Sequence, residues 1–77
     1  MPEYRLEPIP TLPTLRICLG NRTAGFAYPP KHQGQPWEVT PPARSTDALP
    51  DGDRGFVTRR FPAEADMLAF LGLGAAR

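Results

Sequence analysis

The fold is decided by Leu15-Arg16-Ile17-Cys18-Leu19-Gly20-Asn21-Arg22-Thr23-Ala24-Gly25-Phe26-Ala27-Tyr28. Leu15, Ile17 and Leu19 alternate with Arg16 and Cys18, the period-two signature of a half-buried strand. The same alternation returns in Ala24, Phe26 and Tyr28. Between the arms stand Gly20 and Asn21, residue types that tolerate the positive φ a tight hairpin needs. The stretch therefore predicts a β-hairpin. Two registers fit it: a two-residue Gly20-Asn21 turn pairing Ile17 with Ala24 and Leu15 with Phe26, or a four-residue loop pairing Leu19 with Ala24, Ile17 with Phe26 and Leu15 with Tyr28. Both put Leu15, Ile17, Leu19, Ala24, Phe26 and Tyr28 on one apolar face, because they differ by an even number of residues. The other face is expected to carry Arg16, Cys18, Thr23, Gly25 and Ala27. A lone hairpin is marginal in water, so its apolar face needs a cover.

The cover is predicted at the C-terminal end, over Pro62–Leu71. Proline suits the first helical position, and Glu64 and Asp66 in or near the first turn complement the helix dipole. Met67, Leu68, Phe70 and Leu71 form one apolar stripe, and Gly72 is a left-handed stop. Trp37-Glu38-Val39-Thr40 reads as a further strand. Tyr4 and Leu6 alternate with charged neighbours as in a short edge strand, and Phe56–Phe61 is weakly strand-like. The fold class is thus α+β: a small three- to four-stranded antiparallel meander covered on one face by a C-terminal helix. Residues 1–77 form a single domain. Residues 1–13 are a proline-rich lead-in, since Pro8, Pro10 and Pro13 each lack a backbone donor. Residues 41–55 form a long loop, of the length that in small domains is usually functional or mobile.

Composition bounds the chemistry. The chain has 77 residues, eleven prolines, seven glycines and one cysteine. One cysteine permits no internal disulfide and no cysteine-based metal centre, so Cys18 reads as a small strand residue of a reduced protein. His32 is the only histidine; it lies in a Pro/Gly-rich loop without a second ligand at metal spacing. Three aspartates between residues 47 and 53 lack the spacing and closing glutamate of a calcium loop. No glycine-rich loop precedes a helix, and the lone Ser45 has no histidine near it in sequence. The expectation is no catalytic residues, no cofactor, no metal and no enzyme. No run of apolar residues is long enough to cross a bilayer, and the N-terminal stretch lacks the pattern of a signal peptide. A cytoplasmic location in a bacterial host follows as the expectation, with no membrane partner.

The formal net charge is only +1, but it is unevenly spread. Residues 11–45 hold Arg16, Arg22, Lys31 and Arg44 against Glu38. Asp47, Asp51 and Asp53 come next, followed by Arg54, Arg59 and Arg60. Basic and acidic stretches in this order predict a charged docking surface. The candidate partner-binding residues are Arg16, Arg22, Lys31, Trp37, Arg59 and Arg60, with tryptophan included as the commonest hot-spot residue. A protein partner with an acidic patch is one expectation. Nucleic acid is a second, with Tyr28 or Trp37 stacking on bases, and a structural subunit of a phage or bacterial assembly is a third.

As a whole, the hairpin around LGNRTAGFAY, the tryptophan strand PWEVT and the closing segment RRFPAEADMLAFLG resemble short proteins of phages and mobile elements. Arg, Ala, Pro and Gly usage is similar to that of a GC-rich bacterial host or its phage. The chain is similar to anti-CRISPR proteins in length, in its single small domain and in its lack of catalytic motifs. The resemblance spans the chain but no residue motif, so it carries no site residues over. It implies a monomeric inhibitor that binds a CRISPR effector, a Cascade complex in particular, and blocks target DNA engagement. The near-neutral charge departs from acidic DNA mimics and points instead to covering a subunit surface.

Overall fold

The computed structural model describes residues 3–73. Five strands follow one another in space as they do in sequence: β1 (Tyr4–Pro8), β2 (Leu15–Leu19), β3 (Arg22–Tyr28), β4 (Trp37–Thr40) and β5 (Arg59–Phe61). All pairings are antiparallel and the order is β1-β2-β3-β4-β5. Among the described residues one helix, α1 (Glu64–Phe70), follows β5. The α+β class and the antiparallel meander agree with the sequence reading. The sheet has one strand more than expected, because the N-terminal edge segment and the segment before the helix both join it.

The β2–β3 turn is the two-residue form. Leu19 faces Arg22 across Gly20-Asn21, and Gly20 alone takes a positive φ, 63°. That is the φ a type II′ turn demands at its first central position. Neither expected register survives beyond the turn. The pairing slips by one residue between Cys18 and Ile17, so that Cys18 faces Thr23 but Ile17 faces Gly25 and Leu15 faces Ala27. Ala24 is the extra residue of a β-bulge, and a bulge changes the phase of everything after it. Gly25 and Ala27 thereby join the Leu15–Ile17 face, and Phe26 joins Arg16 on the opposite face. The expected placement of Phe26 and Tyr28 on the buried side is corrected accordingly. Ile17, Ala24, Ala27 and Val39 are fully buried, whereas Tyr28 is 40% exposed.

The inner face is closed by two covers. Helix α1 runs over β4 and β5 and buries Met67 and Leu71 in the common cluster, with Leu68 and Phe70 partly buried against it. The helix is shorter than predicted by three residues, with Ala63 at its N-cap in extended geometry. Its end is as expected. Gly72, at φ 75°, donates to Ala69 O (3.0 Å) and Leu73 donates to Leu68 O (2.7 Å), a Schellman closure.

The hairpin itself is covered by the long segment between β4 and β5. Ala48 and Leu49 are buried, and a Leu49 methyl lies where a Cβ on Gly25 would approach within 3.3 Å. The Tyr4 hydroxyl donates to Ala48 O, tying the first strand to this segment. Residues 41–55 hold no helix or strand, yet they form part of the core lid.

Candidate functional site

With the inner face closed, the chemistry-bearing surface is the outer face of the sheet. Strand register places its residues in rows. Glu7, Arg16, Phe26 and Thr40 stand opposite one another across β1 to β4, and Tyr28, Glu38 and Arg60 across β3 to β5. Arg5, Cys18 and Thr23 form a third row nearer the β2–β3 turn.

The charges on this face are largely paired with one another. Glu7 accepts from Arg16 at 2.6 Å and from Arg5 at 3.0 Å, on separate oxygens. These hydrogen bonds, Arg16 first and then Arg5, bring the Glu7 carboxyl down from 4.5 to about 2, and the same contact with Glu7 raises Arg16. Arg60 donates to Glu38 at 3.2 Å. These exposed pairs fix side-chain positions more than they stabilise the fold.

Among these pairs the apolar centre is aromatic. Phe26 is half-buried and Tyr28 exposed. Two shallow grooves flank Tyr28. One, of about 560 Å³, lies between the Tyr28–Lys31 segment and Gln35, Pro36, Glu38 and Arg60. The other, about 460 Å³, lies between the same segment and Leu12, Pro13 and Thr14. Prolines line both grooves, so their walls are conformationally stiff. A third depression of about 540 Å³ runs beside Phe26 and Arg16, against Pro8, Ile9 and Pro10. The β1–β2 and β3–β4 connections thus build the rim at one end of the face.

The six residues singled out from the sequence separate into three groups. Arg16, Arg60 and Lys31 belong to the outer face and its rim. Arg22 stands at the hairpin tip and donates to the Ser45 hydroxyl at 2.7 Å, with Asp47 at 3.8 Å. Trp37 and Arg59 lie on the inner side. Trp37 is opposite Phe61 and packs on the core. Arg59 is opposite Val39, its side chain only 5% exposed. It donates to both oxygens of Asp51, at 3.0 and 2.9 Å, and to Val57 O at 2.6 Å. Of the candidates Arg59 and Arg60, the first is therefore corrected to an inward residue and the second faces outward, as strand alternation requires.

Phe26 and the pair Arg5–Glu7 went unselected by sequence reasoning, and Tyr28 was named there only as a base-stacking residue. Their signal is the Ala24-Gly25 pair, two small residues in succession where a strand can bulge, but only the partner strand reveals that it does. Among the described residues the other exposed large apolar side chains are Leu12, which lines the second groove, and Phe56 and Val57 on the lead into β5.

Comparison with protein-family models, with curated proteins and with solved structures finds no match to this chain. Among the described residues no helix is long and apolar enough to cross a membrane.

Proposed function

We propose that the protein is a small non-enzymatic binding protein that docks the outer face of its sheet onto a larger protein or ribonucleoprotein. The observation that carries this reading is Tyr28. It stands exposed between two proline-walled grooves, with Glu38–Arg60 beside it and Glu7–Arg16 one row away. An aromatic anchor within a polar rim is the anatomy of a protein interface. Nucleic acid is the less favoured partner, because phosphate-driven binding needs several uncompensated cations and the formal net charge is only +1.

The whole-chain resemblance to phage anti-CRISPR proteins makes a CRISPR effector the first partner to test. In this reading the protein acts as a monomer in the bacterial cytoplasm and covers an effector surface needed for target DNA engagement. The experiment is co-elution of the purified protein with a Cascade complex, followed by affinity measurement with Tyr28→Ala and with the exchanged pair Glu38→Arg/Arg60→Glu. Truncating a hot-spot aromatic costs about 2 kcal/mol or more, roughly thirtyfold in affinity. Unchanged affinity in both variants, with their melting curves intact, would remove the outer face from the interface. Failure of any Cascade complex to bind would remove the anti-CRISPR assignment while leaving the docking face open to other partners.

A further inference from the structure

We propose that the turn end of the outer face is a site for a phosphate-type oxyanion. It is distinct from the Tyr28 end and does not rest on it. Arg5 of β1, Arg16 of β2 and Thr23 of β3 border a pocket of about 190 Å³ beside Gly20, Asn21 and the start of β3, with the buried Cys18 at its floor. The depression is open to solvent on one side and has room for a tetrahedral anion among these side chains.

No carboxylate lines this pocket. The nearest acid in the network is Glu7, which serves both guanidiniums at once, one oxygen to each. Two consequences follow. One charge is left uncompensated beside the pocket. The two guanidiniums are also held in place, with further N–H donors on each still available, since a guanidinium carries five. Planar, always-charged guanidiniums fixed in advance are the groups best suited to bidentate phosphate recognition. The rim is open as well: nothing lies within 4 Å of a Cβ built on Gly20, so the backbone of the turn is uncovered. By contrast, the space beside Arg54 and Arg59 is lined by Asp51, which they share, and is closed to anions on charge.

The test is an NMR titration of the intact protein, following arginine side-chain and backbone amide resonances at constant ionic strength. The probes are inorganic phosphate, phenyl phosphate, dimethyl phosphate and acetate. A saturable response confined to Arg5, Arg16, Thr23 and the Gly20-Asn21 turn is expected. Arg5→Gln, which leaves the Glu7–Arg16 pair in place, should weaken it about tenfold, and Lys31→Gln should not change it. Tighter binding of phenyl phosphate assigns the site to phosphate monoesters, and tighter binding of dimethyl phosphate to diesters. A linear response shared with Lys31 and Arg44, acetate binding as tightly as phosphate, or an unchanged response in a folded Arg5→Gln protein would each overturn the proposal.

Discussion

Arg59 and Asp51, eight residues apart, meet through two near-parallel N–H···O bonds of 3.0 and 2.9 Å beneath the sheet. The pair joins the last strand to the long β4–β5 segment that roofs the hairpin. A guanidinium this buried is tolerated only while its partner is present. Asp51→Ala should therefore destabilise by about 3 kcal/mol, because it strands a buried charge. In a domain of this size that lowers Tm by roughly 12–24 °C. The double replacement Asp51→Leu/Arg59→Met should recover most of the loss, since apolar isosteres commonly equal or exceed a buried pair. Urea denaturation of Asp51→Ala and of the double variant measures this, and a double variant no better than Asp51→Ala would refute it.

Acid should weaken the fold from one side of its pH range. Hydrogen bonds from Arg16 and Arg5 hold Glu7 down to about 2. Arg59 lowers Asp51 first and Arg54 adds to it, while the Thr46 hydroxyl and the Gly55 amide lower Asp53. Each of these carboxylates binds protons less readily folded than unfolded, so its contribution is complete above the ordinary carboxylate range and is lost as pH falls through the folded value. Tm is expected to be level near neutrality and to decline below about pH 5. For Glu7 the loss spans 4.5 down to about 2, and Glu7→Gln should flatten that part of the profile.

Alkali should weaken it from the other side. Burial, and then the nearby Asp51 charge, raise the Tyr4 hydroxyl above 10.0. The unfolded chain then ionises first, and stability falls as pH rises from the ordinary tyrosine value through the folded one. Tyr4→Phe should start from a lower Tm, having lost its bond to Ala48 O, and should lack this alkaline decline. Thermal melts across the range decide it.

Gly25→Ala should be destabilising although both residues are small. The added methyl would sit 2.6 Å from the Thr40 carbonyl oxygen and 3.3 Å from a Leu49 methyl. The first neighbour is backbone and cannot simply turn away. Overpacking of this kind costs about 1–3 kcal/mol, and equilibrium unfolding should report it.

Within the helix, Met67 and Leu68 should differ. Met67 is fully buried, whereas Leu68 only packs at the margin. Met67→Ala is expected to cost about 2–5 kcal/mol, enough to leave a domain near the low end of normal stability largely unfolded. Leu68→Ala should cost visibly less, and paired melting curves distinguish them.

What the sequence by itself determined lies within reach of one or two turns of chain. A hairpin turn between Leu19 and Ala24, though not its length, the strand around Trp37–Thr40, the stripe Met67, Leu68, Phe70 and Leu71, and the stop at Gly72 are all set by local sterics and local apolar spacing. So was the α+β class. The candidate face was legible only in part: Arg16, Lys31 and Arg60 belong to it, but its central aromatics did not read as outward. Tertiary structure alone decided that. One bulged residue at Ala24 reversed the side on which Phe26 and Tyr28 emerge, and a period-two pattern holds no record of a slip that only the partner strand defines. The same holds for Leu49, whose irregular segment has no periodicity to mark it as core, and for Arg59, whose inward turn depends on a carboxylate eight residues earlier. Each of these is settled by a non-local contact, and such contacts exist only once the chain has closed on itself.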